Sequence, residues 1–189
     1  MAFGRKPGKA AAPLNEPGLY DYAVKSLGRA MRTEAELRRL MHQRVEHGPA
    51  GETIVDSVVA RLKQHGYLDD RSFAETYARL RQENEKLGQR NVRRKLTQKG
   101  VARGIVDDTL EARYAATDEE ALARAHLERR RIRKPENEKE TARVMRRLVA
   151  AGFSTGVIYN ILRQWEVPDE SLAALDNLAP DPDESSSVD

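Results

Sequence analysis

Basic side chains are the most concentrated chemistry in this chain. Arg90, Arg93, Arg94, Lys95 and Lys99 sit close together, and Arg143, Arg146 and Arg147 form a second set. At about 100° per residue, Arg90, Arg93, Arg94 and Thr97 share one helix face while Val92 and Leu96 point the other way. A helix with one apolar stripe and one arginine face suits contact with phosphates. Plain solvation competes with that reading, because 33% of the residues are charged. The distribution of charge favours a polyanionic partner. The formal net charge is +3, yet residues 168–189 hold seven acids and no Lys or Arg, and the first thirteen residues hold three cations, which leaves +7 for the body.

Other reactive types form no catalytic set. Asp69 and Asp70 are adjacent carboxylates at the start of a predicted helix, where capping and the helix dipole favour them. Neither a lysine nor a third acid stands at a nuclease-like spacing. The four histidines, His42, His47, His65 and His126, lack zinc-type spacing, which predicts surface or half-buried roles. There is no GxGxxG, Walker-type loop, nucleophile elbow or HExxH. The sequence therefore predicts no catalytic residues, no metal and no cofactor. Tyr67, Phe73, Tyr77, Phe153, Tyr159 and Trp165 mostly fall at core-like positions rather than forming a base-stacking platform.

The elements that carry these residues are written twice. Val92, Leu96, Gly100, Val101, Gly104, Ile105, Val106 and Leu110 recur 52 residues later as Val144, Leu148, Gly152, Phe153, Gly156, Val157, Ile158 and Leu162. Each copy reads as helix, glycine stop, helix. A looser third copy runs through Ile54, Val55, Val58, Val59 and Leu62, with Leu37 and Leu40 on the helix before it. One further helix precedes each pair: about residues 19–29, one starting after Asp69-Asp70 with Phe73, Ala74, Tyr77 and Leu80 apolar, and one after Thr117 with Ala121, Leu122, Ala125 and Leu127 apolar. Thr33 with Glu36, and Thr117 with Glu120, have the spacing of capping boxes. No stretch alternates with period two. The expected fold is all-α, with three tandem three-helix, helix-turn-helix-like repeats (19–68, 69–116 and 117–167) in an elongated, curved array. A basic tail (1–18) and an acidic tail (168–189), both expected to be disordered, flank them.

Only 39% of residues are hydrophobic and ten are aromatic, a supply better matched to several small cores than to one large one. Cysteine is absent, which removes disulfides and thiolate metal sites and fits a cytoplasmic protein. The N-terminal stretch lacks a signal-like apolar region, and no run of about 18 apolar residues predicts a membrane span.

The run His65-Gly66-Tyr67-Leu68-Asp69-Asp70-Arg71-Ser72-Phe73-Ala74 resembles the signature of the RecX family, regulators of the RecA recombinase. The segment from Gly88 to Val101 resembles the next RecX segment, and Ala35-Glu36-Leu37-Arg38-Arg39-Leu40 fits the family's opening unit. The resemblance spans residues 19–167 and is most specific in the central unit. It implies tandem three-helix repeats and a monomer without catalytic activity. It also implies a protein that lodges in the groove of the RecA–DNA filament, restrains ATP hydrolysis, strand exchange and filament growth, and binds single- and double-stranded DNA, in recombination, repair and the SOS response. On this reading Gly66, Tyr67, Leu68, Asp69, Asp70, Phe73, Ala74 and Gly100 are largely structural. Arg90, Arg93, Arg94, Lys95, Lys99, Arg146 and Arg147 are the expected contacts to DNA or filament. The alternative is a helix-turn-helix DNA binder with no RecA involvement.

Overall fold

The structure, a computed structural model, describes residues 12–167. The acidic tail and most of the basic one lie outside them. Among the described residues every regular element is helical: α1 (Glu16–Arg29), α2 (Glu34–His42), α3 (Pro49–Gln64), α4 (Asp70–Glu85), α5 (Gln89–Gln98), α6 (Arg103–Tyr114), α7 (Glu119–Arg129), α8 (Glu138–Ala151) and α9 (Thr155–Gln164). The fold is an all-α helical repeat. No helix among these residues is long and apolar enough to cross a membrane.

The chain divides into two units. Among the described residues, one takes in those up to Phe73 together with Lys99–Ala102, and the other Ala74–Gln98 with those from Arg103 to Val167. In the first, Leu19 and Ala23 of α1, Leu37 and Met41 of α2, and Val55 and Leu62 of α3 are fully buried. Each pair is spaced to share one helix face. The second unit carries the doubled pattern. Val92, Leu96, Val106 and Leu110 are buried, as are their counterparts Val144, Leu148, Ile158 and Leu162. Burying one such side chain contributes about 1.5–3 kcal/mol. The stop glycines Gly100 and Gly152 take φ of +81° and +92°, the left-handed geometry that lets a helix end without a Cβ clash.

The first unit recruits residues from both ends of the α4–α5 segment, and hydrogen bonds explain why. The Asp70 carboxylate accepts from the Glu34 backbone N–H (2.8 Å), and the Thr33 hydroxyl donates to the Lys99 carbonyl (2.6 Å). Lys99 Nζ lies 2.7 Å from Glu36 Oε1 and 5.6 Å from the centre of the Phe73 ring. The first turn of α4 and Lys99, the residue after α5, are thereby both tied to the N-terminus of α2.

Four details differ from the sequence expectation. Helix α1 starts at Glu16, inside the stretch expected to be tail, because Asn15 accepts from the Gly18 N–H and Pro17 pre-sets the first turn. The Thr33–Glu36 capping box is present, but Asp118, not Thr117, caps α7. Asp118 Oδ1 accepts from the N–H groups of Glu120 and Ala121, while the Thr117 hydroxyl donates to the Arg113 carbonyl and accepts from Gln82. On α4 the buried stripe runs through Phe73, Ala74 and Ala78, which rotates Leu80 outward to 41% exposure. On α7 it runs through Ala123, His126 and Leu127, leaving Ala121 at the surface.

Candidate nucleic-acid interface

Helix α5 turns Val92 and Leu96 inward, so its cations face outward, but they do not act as one uniform patch. Arg93 pairs with Asp107 of α6, and Arg103 stands 3.7 Å from the same carboxylate. The hydrogen bond from Arg93, ahead of the two positive charges, holds the Asp107 carboxyl below its usual range. Both partners are close to half exposed, so Arg93 can exchange Asp107 for a phosphate readily. Arg94 donates to the Ala150 carbonyl at 3.3 Å, at the last turn of α8. Arg90 lies apart, beside Gly88, Tyr114 and Glu119. Lys99 belongs to the first unit, where it is committed to Glu36. Burial opposes ionisation of Glu36, yet hydrogen bonds from Lys99 and from the Thr33 backbone lower its pKa overall. Arg146 is exposed on α8.

Lys95 and Arg147, which are repeat equivalents, come together. They line one cavity of about 590 Å³ in the second unit, with Tyr77, Arg81 and Glu85 of α4 and Arg130 just past α7. Leu87, Ile132 and Ala151 supply apolar lining. Arg81 is ion-paired with Glu85, and its guanidinium sits 4.6 Å from the centre of the Tyr77 ring. His126 also lines the cavity. Its Nδ1 is 3.1 Å from the Glu85 carbonyl, and its ring meets Phe153 edge-on at 5.7 Å. Burial, then the charge of Arg130, pushes the His126 pKa down, so the ring is neutral near pH 7. Arg81 and Glu85 offset each other. Lys95, Arg130 and Arg147 meet no carboxylate among the described residues and supply the excess positive charge. Three convergent cations over an apolar floor suit a chain of phosphates or an acidic protein surface.

Sequence reasoning missed Tyr77 and Arg81 as members of this site. They stand four apart on α4, the spacing of a same-face pair, and that aromatic-plus-arginine pair was the available signal. The paired aspartates divide their work. Asp69 Oδ1 accepts from the N–H groups of Arg71 and Ser72 and caps its own helix, while Asp70 caps α2. Burial, reinforced by the charge of Glu34, raises the Asp70 pKa. No group of three His, Cys, Asp or Glu side chains able to hold a metal occurs among the described residues. Phe73 and Phe153 are buried, but Tyr67 is 55% exposed, because it follows the turn at Gly66 that ends α3 and points away from the core.

Residues 69–110 match the sequence family described as RecX, second three-helix domain. The chain is 32% identical over 165 residues to the regulatory protein RecX of Thermobifida fusca, covering 84% of each protein. It is 32% identical over 150 residues to that of Thermus thermophilus, covering 79% of this chain and 91% of the relative. Against the RecX of Geobacillus kaustophilus it is 30% identical over 145 residues and spans about half (52%) of that longer protein. A crystal structure of regulatory protein RecX superposes with a TM-score of 0.62 at 25% identity, over 79% of this chain and 71% of that one.

Proposed function

The chain belongs to the RecX family of regulatory proteins, and from that premise we propose that it is a non-catalytic regulator of RecA. It binds the RecA–DNA filament in its groove and restrains ATP hydrolysis, strand exchange and filament growth. The observation that carries this reading is the cavity of the second unit, where Lys95, Arg130 and Arg147 converge without carboxylate partners. A polyanionic partner is what such a surface attracts, and a filament presents both DNA phosphates and protein. The regulator shifts the filament only as far as it prefers one filament state over another. The chain acts as a monomer in the cytoplasm, built of three three-helix units (19–68, 69–116 and 117–167). Arg90, Arg93 and Arg146 extend the contact beyond the cavity, while Arg94 and Lys99 serve chiefly to hold helices together.

The test is RecA ATPase on single-stranded DNA with this chain titrated in. Hydrolysis falls with the wild-type chain. The Lys95→Ala/Arg147→Ala double variant requires about ten-fold more protein for the same effect, and its binding to single strands loses about one to two units of salt slope. An unaffected ATPase at equimolar wild-type chain sinks the proposal. A loss of duplex binding in the variant with no RecA effect in either protein favours the helix-turn-helix alternative.

A further inference from the structure

The first unit holds an aromatic cluster that the basic cavity does not involve. Helix α3 ends in a left-handed turn, in which Gly66 (φ +71°) donates to the Lys63 carbonyl at 3.0 Å and Tyr67 to the Leu62 carbonyl at 2.9 Å. These two bonds are the helix-ending pattern in which the residue after glycine usually packs back onto the helix. Here the next residue does that work, since Leu68 is 3% exposed while Tyr67 is 55% exposed. Tyr67 therefore has a fixed backbone and an open ring.

Its neighbours are ordered. The His65 ring meets Tyr67 edge-on at 6.4 Å and Tyr20 edge-on at 6.1 Å. The Tyr20 hydroxyl and His65 Nδ1 are 2.7 Å apart, which pins the imidazole. Arg61 lies over the other ring of the set, 4.5 Å from the centre of Tyr20, and is held there by Glu16 at 3.2 Å. Glu16 also accepts from Ser57 at 2.9 Å. Because Arg61 and Glu16 offset each other, the cluster attracts a phosphate weakly.

We infer that Tyr67, backed by His65, Tyr20 and Arg61, is a stacking site for an unpaired nucleobase of single-stranded nucleic acid. An exposed, rigid, amphipathic ring is the recurring element of sequence-tolerant strand binding. A protein hot spot asks instead for a contiguous apolar patch, whereas Tyr67 meets the His65 imidazole, which is itself bonded to the Tyr20 hydroxyl, with the Arg61–Glu16 ion pair on the far ring of the set. The inference rests on the nucleic-acid part of the proposed function and adds a base contact in a different unit from the phosphate contacts.

The experiment compares an intact short single strand with an abasic strand of equal length at low salt, by anisotropy, and follows a 2-aminopurine placed within the intact strand. The wild-type chain is expected to bind the intact strand about ten-fold better than the abasic one, within the range for one stacked base, and to quench 2-aminopurine. Tyr67→Ala brings intact-strand affinity down to the abasic level and abolishes quenching, while Tyr67→Trp keeps both. Tyr67→Ala removes an exposed ring, and circular dichroism confirms that the variant is folded. Equal binding of intact and abasic strands by the wild-type chain overturns the inference, as does a Tyr67→Ala variant that still quenches. Either result, combined with loss of binding in Lys95→Ala/Arg147→Ala, leaves the basic cavity standing. A wild-type chain that binds neither strand overturns the base contact and the DNA part of the proposed function together.

Discussion

The same junction is built twice along this chain, by different means. In the first unit Lys99, just past α5, meets the start of α2, and in the second the end of α8 meets the start of α5. Each time a carbonyl left unpaired at or just past a helix C-terminus is met by donors at another helix's N-terminus. At the first junction the donors are side chains. Thr33, fully buried, donates to the Lys99 carbonyl and accepts from the Glu36 N–H, and Lys99 reaches back to Glu36. At the second the backbones themselves touch. Gly88 N–H donates to the Ala151 carbonyl at 2.9 Å, and Asn91 and Arg94 share the Ala150 carbonyl. A Cβ on Gly88 would overlap the Gly152 carbonyl, and one on Gly152 would overlap the backbone nitrogen of Asn91. One sequence pattern thus specifies where helices meet but not whether side chains or bare backbone seal the contact.

The comparison breaks hardest at Gly152. Placing Ala there imposes a left-handed conformation on an L-residue, about 1–2 kcal/mol, and drives a methyl into backbone that cannot rotate away, so the total reaches about 3 kcal/mol. Gly100→Ala meets a single close atom, the Ala35 Cβ, where Gly152→Ala meets three atoms of Asn91, and should cost less, about 2 kcal/mol. Urea unfolding gives the magnitudes, and hydrogen exchange locates them: amides of α8 for Gly152→Ala, amides of α2 for Gly100→Ala. Equal losses at the two glycines would erase the distinction between a backbone-sealed and a side-chain-sealed junction.

Side-chain deletions should show the reverse order. Thr33→Val removes a cap and strands the half-buried Lys99 carbonyl, for about 2 kcal/mol. Asn91→Ala leaves the Ala150 carbonyl still served by Arg94 and the neighbouring Gly88 bond intact, for about 0.5–1 kcal/mol. A loss at Asn91 as large as that at Thr33 would mean the glycine contact does not hold the second junction by itself.

The sequence made the helices legible and left the contacts between them hidden. The 52-residue echo marks Val92, Leu96, Leu148 and Leu162 as core and Gly100 and Gly152 as stops, because periodicity and chain reversal are local matters. Thr33 was legible as a capping box for the same reason. Thr117 misled because Asp118, one residue on, is the stronger acceptor for a helix start. The basic face of α5 was legible as a face, but a helical wheel cannot say that Arg94 would be drawn to the end of α8 or that Lys95 would meet its own repeat equivalent, Arg147, across a shared cavity. Those facts depend on how helices from different copies pack. Tyr67 was misread because aromatic residues are usually buried, and only the register of the Gly66 turn decides that Leu68 goes in and Tyr67 out.

The smallest expected effect separates charge from hydrogen bonding at the first junction. Asp70 caps α2 through one carboxylate oxygen, yet burial and the charge of Glu34 raise its pKa. The folded state thus holds the Asp70 proton more tightly than the unfolded chain does, so this group's contribution to stability declines as pH rises from about 4 through the raised pKa. Glu34 and Glu36 run the other way. Burial opposes their ionisation, but lysine and arginine partners lower both pKa values, so they contribute above about 4.3 and lose that contribution as pH falls through the lowered values. Asp70→Asn keeps an oxygen for the Glu34 N–H and discards the charge. It should match or exceed wild-type stability at pH 7 and then lose stability more steeply on acidification, because the opposing Asp70 slope has gone. Asp70→Ala, which removes the acceptor, should cost about 1 kcal/mol at pH 7. Urea midpoints for the three proteins at pH 7 and pH 4 decide the matter: if Asn behaves like Ala at pH 7, the carboxylate charge itself holds α4 to α2, and the junction is ionic rather than a shared cap.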